Sequence, residues 1–548
     1  MGNQPQIRQL TTGTHDFAGL VQDEESKYVD KTDLLFELAR HKKDAQYFIS
    51  RPRRFGKSLM LSTLQAMFEG RRELFRGLAI DKLDWECWDK KSRYPVYNFS
   101  MTGANGATYD KFYGALRKLT VSLLDRIGLD YDDTVYPSAN FEEFVKVAAD
   151  KSPTKQIVIL IDEYDVPVQG FLDDPKTLVR VRKQLHDFYE KLKTNSDVVR
   201  FLMMTGVTKL TKLSVFSGLT HLTDISGDPR FATLLGYTRE EIGGALRENV
   251  EALAARLGLD YVSTKAKILE WYDGYRFSPQ ADGHVVNPVS LGKLFAPGGG
   301  VFKSYWETTG GSSLVFNRIK AVGKLPEDLE NVQADPTTLD VCPAENLPME
   351  SLLYQAGYLT IREVIPAPEQ TPEEAEADPK TETYVLAPPN LEIRASLKRG
   401  FISQVLGMKE GSFDAIVDKA KRQLAAGDIE HFLYESLFGL YASVPADWQI
   451  RDEAEAKRYF LLFASMCGAN PQPEVASIFG YADAVIETPD SVFVFEFKYR
   501  RSARAAIKQI KDRNYAAKWL GGPRPVTLVG INFNPKVRNI DMPIIERA

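Results

Sequence analysis

Tyr47-Phe48-Ile49-Ser50-Arg51-Pro52-Arg53-Arg54-Phe55-Gly56-Lys57-Ser58 is the stretch on which the reading of this chain turns. Tyr47 to Ile49 is a short apolar run that reads as a buried strand. A tight basic turn follows, then Gly56-Lys57-Ser58, and Leu59 to Phe68 reads as a helix. Strand, loop, Gly-Lys-Ser and helix is the layout of a phosphate-binding P-loop. The first amides of such a helix have no partners within it and point at an anion. Lys57 would add a full charge near the β- and γ-phosphates of a nucleotide, and Ser58 would offer its hydroxyl to Mg²⁺. The pattern G-x-x-x-x-G-K-[ST] asks for a first glycine at position 51, where this chain has Arg51. Arg51 forgoes glycine's backbone freedom and adds charge instead. Arg51, Arg54, Gly56, Lys57 and Ser58 are thus the candidate nucleotide contacts of this stretch. A helix start that happens to read Gly-Lys-Ser is the competing interpretation.

A second stretch favours the P-loop. Gln156 to Ile161 is a continuous β-branched apolar run, the mark of a strand buried on both faces, and it ends in Asp162-Glu163-Tyr164-Asp165. A hydrophobic strand ending in Asp-Glu is the Walker B arrangement. Asp162 would hold the Mg²⁺ shell, and Glu163 would polarise the attacking water; the alternative is an acidic strand end facing solvent. A third strand, Val198 to Met204, ends in Thr205-Gly206, placing Thr205 as a sensor of the γ-phosphate. Lys209 and Lys212 follow as candidates for transition-state charge.

Tyr28-Val29-Asp30-Lys31-Thr32, Arg51-Pro52-Arg53-Arg54-Phe55-Gly56-Lys57-Ser58, Asp162-Glu163-Tyr164-Asp165 and Thr205-Gly206-Val207-Thr208-Lys209 together resemble the bacterial AAA-ATPase-like family. The resemblance spans nearly the whole chain. It implies an ATP- and Mg²⁺-using domain, a C-terminal nuclease-like domain, and Arg51 as a family trait.

At 548 residues the chain is too long for one core, and about three domains are expected. They fall at 1–240 (an AAA-like α/β P-loop domain with a parallel sheet), 241–395 (a helical, winged-helix-like lid) and 396–548 (an α/β nuclease-like domain). In the first, helices are predicted at 107–127, 140–150 and 176–193, with another strand at 96–99. In the lid, Leu352 to Gly357 reads as a glycine-capped helix, followed by a hairpin of 358–361 and 384–386. The hairpin tip, 366–383, is rich in Pro, Glu, Asp and Ala and is expected to be a disordered acidic insertion. The aromatic motif Trp271 to Phe277 reads as core rather than as a base-stacking platform. No uncharged run approaches the roughly 18 residues of a membrane span, so no membrane is expected. Three dispersed cysteines, Cys87, Cys342 and Cys467, form neither a zinc spacing nor a disulfide framework, which suits a reducing cytoplasm. A net charge of -5 argues against a wholly basic nucleic-acid coat and leaves room for local basic patches.

A second chemical site stands near the C-terminus. Glu453 to Cys467 reads as an amphipathic helix, Gly480 to Ile486 as a strand, Thr488-Pro489-Asp490-Ser491 as a turn, and Val492 to Lys498 as a strongly alternating strand. A helix from Ala503 to Trp519 and a strand from Val526 to Ile531 follow. Alternation puts Glu496 and Lys498 on one face and Phe495 and Phe497 on the other. An acid on one strand, then Glu-x-Lys on the next, is the PD-(D/E)xK constellation. Asp483 and Glu496 would hold Mg²⁺ through oxygen, and the ion would activate water and offset charge at the scissile phosphate. Lys498 would orient or deprotonate that water, or neutralise the phosphorus. Glu455 would complete the metal shell, with Glu453 as the close alternative. Gln509 and Tyr515 match a family pattern that brings Gln509 to the active-site face. Glu-x-Lys at a solvated edge is the competing interpretation. Arg500, Arg501, Arg504, Lys508 and Lys511 form a basic region able to grip phosphates or to solvate a helix.

The expected function is ATP-regulated, Mg²⁺-dependent cleavage of nucleic acid, DNA ahead of RNA, in the cytoplasm, with self-association into a homo-oligomer left open and defence against foreign DNA as the setting by analogy. The rivals are a nucleotide-binding regulator or scaffold without nuclease activity, and a winged-helix DNA binder that never cuts.

Overall fold

Ile157 to Asp162 is buried at every position, as a strand covered on both faces must be. In the computed structural model it is β3 of a five-stranded parallel sheet. The structure describes residues 7–43, 45–104, 106, 108–172, 174–209, 222–306, 315–316, 319, 329–340, 348–370, 380–400, 410–443, 450–477 and 479–548. The other strands are β1 (Gln46–Ser50), β2 (Val96–Ser100), β4 (Val199–Gly206) and β5 (Thr223–Asp224), in the order β2-β3-β4-β1-β5. Alternate residues Ile157, Ile159 and Ile161 join one core with Phe112 and Leu116 of the helix Tyr109–Asp125, Phe141 and Phe144 of Pro137–Lys151, and Leu185 and Phe188 of Pro175–Thr194. Phe141 and Phe188 stack at 3.9 Å between centroids. On β4, Phe201 packs against Phe68 of the helix Lys57–Phe68, 4.9 Å between ring centroids. These helices and the four longer strands lie where the sequence places them. β5 has no counterpart in the sequence analysis, because a two-residue strand has no periodicity to detect. Lys212 lies outside the described residues.

The strand order decides the chemistry. β4 lies between β1 and β3, so the carboxyl ends of all three, carrying the loop after Ser50, Thr205 and Asp162, open on one crevice.

The chain folds into two compact units, Met1–Thr308 with Leu329–Arg394, and Thr309–Asp328 with Ala395–Ala548. Most of the stretch expected as a separate lid lies in the first of these, together with the parallel sheet. It packs on the P-loop itself. Phe55 meets Tyr275 and Phe277 edge-on at 4.9 and 5.3 Å. Asn287 Nδ2 donates to the Arg53 carbonyl at 3.3 Å. Tyr272 and Tyr275 are almost wholly buried, so the aromatic motif is core, as expected. The helix Met349–Ala356 ends at Gly357 in the left-handed region, φ 86°, and a short antiparallel sheet of β8 (Val332–Ala334), β10 (Thr383–Ala387) and β9 (Thr360–Ile365) follows the winged-helix pattern. Before it, β6 (Tyr237–Thr238) and β7 (Val285–Val286) form a separate short pair. β8 escapes the sequence reading because it lies far upstream of its hairpin. Of the acidic insertion, residues 371–379 lie outside the described residues.

The second unit holds a mixed sheet ordered β11 (Gln472–Ser477), β12 (Gly480–Glu487), β13 (Val492–Tyr499), β14 (Val526–Asn534) and β15 (Asn539–Ile540), with β16 (Ile544–Arg547) also on β14. Only β13 and β14 run parallel, joined through the helix Ala503–Asp512. Val492 and Val494 pack with Ile507 and Ile510 of that helix, while Phe495 and Phe497 meet Phe460 of the helix Glu453–Met466 at 4.6 and 5.1 Å. That is the alternation read from the sequence. The helix stops at Asp512 rather than at Trp519. Asn514 adopts φ 50°, and the amides of Asn514 and Tyr515 bond back to the carbonyls of Lys511 and Ile510, a Schellman closure. Among the described residues, no helix is long and apolar enough to cross a membrane.

Gly357 supplies a test of the packing on the loop. A Cβ there would stand 2.6 Å from Pro52 Cβ, on a backbone that L side chains rarely adopt. Gly357→Ala is expected to cost about 1–3 kcal/mol of stability by denaturant unfolding and to weaken nucleotide binding at the same time. An unchanged unfolding midpoint would show that the helix end does not press on the loop.

Candidate nucleotide and metal sites

Gly56, at φ 96°, begins the helix Lys57–Phe68, and Arg54 is left-handed as well, φ 68°. The positive φ that glycine tolerates is thus needed at 54 and 56, not at 51. A left-handed arginine costs on the order of 1 kcal/mol and marks a loop held in a required shape. Lys57 is buried, and its Nζ donates to the carbonyls of Arg51 and Pro52 at 2.8 and 2.9 Å. Burial pulls its pKa down to about 8, against the opposing pull of Asp162, Asp165 and Glu163. Ser58 Oγ donates to Asp162 Oδ2, and Thr205 Oγ1 donates to Asp162 Oδ1 at 2.5 Å. The hydroxyl and carboxylate expected to share an Mg²⁺ shell are therefore adjacent, so the donor set fits the ion. Glu163, also left-handed at φ 53°, accepts from Thr102 Oγ1.

Arg51 does something the sequence does not reveal. Its guanidinium is buried, donating from Nη1 to the carbonyls of Ser50 and Ser226 at 2.9 and 2.8 Å and from Nη2 to Phe231 at 3.3 Å, and it lies 4.2 Å from the centre of the Phe277 ring. Burial lowers its pKa to about 10, so it stays charged at neutral pH. Its hydrogen bonds go to the protein's own backbone. A cavity of about 210 Å³ adjoins Arg51, Pro52, Lys209, Tyr354 and Gln355. Lys209 is buried and paired with Asp224 at 3.0 Å. The contacts of two further residues are not visible in the sequence. Asp165 accepts from the amides of Val207 and Thr208 and from the Thr208 hydroxyl, tying the end of β3 to the end of β4. Gln355 Oε1 accepts from the Lys209 amide at 2.7 Å, a contact 146 residues distant that no local pattern announces.

In the second unit, carboxylate oxygens of Glu453, Asp483 and Glu496 lie within 4.8 Å of one another. Glu453 comes from the first turn of the helix Glu453–Met466, Asp483 from β12 and Glu496 from β13. Lys498 Nζ donates to Glu453 Oε1 at 3.0 Å, to Glu496 Oε1 at 2.9 Å and to the Phe497 carbonyl at 2.6 Å. Burial works to lower the Lys498 pKa, but Glu496 and Glu453 outweigh it and raise it. Asp483 Oδ2 accepts from the Phe497 amide at 2.7 Å, locking β12 to β13 beside the cluster. Burial first, and the neighbouring Asp483 charge second, push the Glu496 pKa up to about 7. Its Oε2 is buried with no hydrogen-bond partner. Three crowded carboxylates, one of them with an unsatisfied buried oxygen, fit a divalent cation.

Glu455, expected in the metal shell, stands outside this group. Its Oε2 accepts from the Arg451 amide at 2.7 Å while Asp452 caps the same turn, so helix capping takes the carboxylate and Glu453 takes the place at the cluster. Lys457 is absent from the sequence reading. It follows Glu453 by one turn, hence on the same face, and its Nζ contacts Glu474 and lies 3.3 Å from Asp483 Oδ1. Gln509 is not in the cluster. It donates from Nε2 to the Tyr515 hydroxyl at 3.3 Å and lines a neighbouring groove.

A family model described as a predicted AAA-ATPase matches residues 11–216, which include Lys57, Asp162 and Thr205. A model of the PD-(D/E)XK nuclease superfamily matches residues 451–542, which include Glu453, Asp483, Glu496 and Lys498. The chain is 31% identical over 541 residues to an uncharacterized protein in the vnfD 5′ region of Azotobacter chroococcum mcd 1, covering 97% of this chain and 98% of that protein.

The raised Glu496 pKa predicts a pH-dependent metal affinity. Below about 7 the free protein keeps the proton on Glu496, and binding a cation must displace it. Mn²⁺ or Mg²⁺ affinity measured by calorimetry should therefore rise about tenfold from pH 6 to pH 8, with proton release in the same range. A flat profile would remove Glu496 from the ligand set.

Proposed function

Because the chain belongs to the predicted AAA-ATPases that carry a C-terminal PD-(D/E)XK nuclease-superfamily domain, we propose that it binds and hydrolyses ATP and thereby governs Mg²⁺-dependent cleavage of nucleic acid, DNA in preference to RNA, in the cytoplasm. The observation that carries this reading is the carboxylate cluster around Lys498, with the unsatisfied oxygen of Glu496 at its centre. A solvated Glu-x-Lys edge would leave these groups exposed, whereas Glu496 and Lys498 are 2% and 4% exposed. Defence against foreign DNA is the setting this chemistry suits.

At the nucleotide site, Lys57 turns from the carbonyls of Arg51 and Pro52 to the phosphates, and the amides at the start of its helix bind the same anion. Ser58 and Asp162 would hold Mg²⁺, which supplies charge neutralisation at the phosphates. Glu163, steadied by Thr102, orients the attacking water. Thr205, on the other oxygen of Asp162, carries the state of the site onto β4.

At the second site, Glu453, Asp483 and Glu496 would hold Mg²⁺, whose chemistry there is activation of water and stabilisation of the phosphorane charge. Lys498, already bonded to two of the three carboxylates, is placed to position the water or to neutralise the phosphate. Lys457 steadies Asp483.

The test is to measure ATP affinity, ATP turnover and nucleic-acid cleavage side by side. Lys57→Ala should lose ATP affinity by tenfold or more. Glu163→Gln should keep ATP and lose turnover by about 10²–10⁴-fold. Asp483→Asn and Lys498→Ala should each abolish cleavage of plasmid, linear DNA and RNA while ATP turnover stays at the parent rate, since the two sites lie in different units. If both variants cut like the parent, the cluster is not a nuclease centre.

A further inference from the structure

We propose that the groove beside the carboxylate cluster is a stacking pocket for an unpaired nucleotide, which makes single-stranded nucleic acid the preferred substrate; this rests on the nuclease reading above. The groove has a volume of about 550 Å³ and is walled by Phe479, Gly480, Lys508, Gln509, Arg513 and Tyr515. That volume lies within the roughly 300–1,000 Å³ of small-ligand pockets.

Three kinds of group meet there. The first is aromatic. Phe479 lines the groove, and Tyr481, on the other side of Gly480 where β12 begins, stands outside that lining; the two are 57% and 60% exposed. A single exposed ring is ordinary, but two rings bracketing one glycine beside a cationic groove offer π-faces that any base can stack on. The second is cationic. Arg513 Nη1 donates to the Phe479 carbonyl at 3.2 Å, holding its guanidinium against the turn that carries the ring. Lys508 lies on the helix Ala503–Asp512 four residues after Arg504, so the two share a face. Lys508 and Arg513 line the groove with one acid, Asp512, which leaves a net positive wall for phosphates. The third is a hydrogen-bonding edge. Gln509 spends one amide hydrogen on the Tyr515 hydroxyl, and the rest of its carboxamide matches the donor and acceptor edge of a base. Gly480 is at φ 140°, and a Cβ there would come 3.2 Å from that hydroxyl, so glycine lets Tyr515 form the floor.

Position links the groove to the chemistry. Gly480 and Asp483 are three residues apart on β12, about 10 Å along the strand. A chain whose scissile phosphate lies at the carboxylates thus brings a neighbouring base to Phe479. In a duplex that base is stacked and paired and must be extruded first, at a cost in free energy. A single strand enters without that cost.

The test uses the full-length Asp483→Asn protein, which is not expected to cut, and an oligonucleotide carrying 2-aminopurine, whose fluorescence falls when the base stacks on a ring. Single-stranded DNA, single-stranded RNA of the same sequence, and the DNA duplex are titrated in parallel. The single strands should bind at least fivefold more tightly than the duplex and quench on binding. Phe479→Ala in that background should weaken single-strand binding by fivefold or more and abolish the quench, with melting temperature unchanged because the ring is exposed. Lys508→Gln should weaken binding but keep the quench. The DNA and RNA arms show which backbone is preferred. Equal binding of single strand and duplex, or a full quench with Phe479→Ala, overturns the pocket. The Asp483-containing parent is assayed for cleavage alongside. If it cuts neither single strands nor duplex, the nuclease reading itself fails. If it cuts and Phe479→Ala cuts single strands equally well, only the pocket fails.

Discussion

The buried guanidinium of Arg51 is the contact on which the nucleotide-binding loop depends. It gathers carbonyls from the end of β1, from the segment after β5 and from the turn at Phe231, and it is covered by Phe277 of the winged-helix-like part. Hydrogen bonds from a charged donor contribute about 1.5–3 kcal/mol each. A buried cation also costs desolvation, so these bonds and the π-face first offset its own burial. The gain is in shape. A first glycine would leave the loop entrance free to move, whereas Arg51 fixes it, and its own carbonyl and that of Pro52 become the acceptors that hold Lys57. The left-handed geometry that a P-loop requires then falls on Arg54 and Gly56, further along.

The two candidate sites solve the same electrostatic problem with opposite signs. Around Lys57 a buried positive charge is steadied by carbonyl dipoles until phosphates arrive. In the carboxylate cluster, crowded negative charge is steadied by Lys498 and Lys457, and the remaining excess is relieved by keeping a proton on Glu496 up to about pH 7. Both arrangements are compromises that a ligand of the complementary charge would improve, and the elevated pKa records the direction of that strain.

Much of this was legible in the chain, and the reasons are local. Gln156 to Ile161 and Val198 to Met204 are mostly β-branched or apolar, so buried parallel strands followed directly. The alternation of Val492 to Lys498 placed Phe495 and Phe497 opposite Glu496 and Lys498, and their packing partners agree. What was illegible depends on partners distant in sequence or on competition within one turn. Arg51 meets Ser226, Phe231 and Phe277 across more than 170 residues, and a charge next to a P-loop is naturally assigned to phosphate. Glu453 and Glu455 share a helical turn, and spacing cannot say which one the Arg451 amide will claim. Lys457 was the exception, since its one-turn offset from Glu453 was visible.

The winged-helix-like part touches the nucleotide site on both sides of the crevice. Gln355 accepts from the amide of Lys209, just beyond the end of β4, and Gly357 lets the same helix end lie against Pro52, just beyond β1. The two lever points are two residues apart. β4 carries Thr205, bonded to Asp162, and β1 leads into the loop whose carbonyls hold Lys57. Pro52 thus gives its carbonyl to Lys57 and its ring to the contact with Gly357, while Thr205 ties β4 to Asp162. The contact at Gly357 has no room for even one methyl group. Close packing of that kind is stiff, since it leaves no free space in which a displacement of tenths of an ångström could be absorbed.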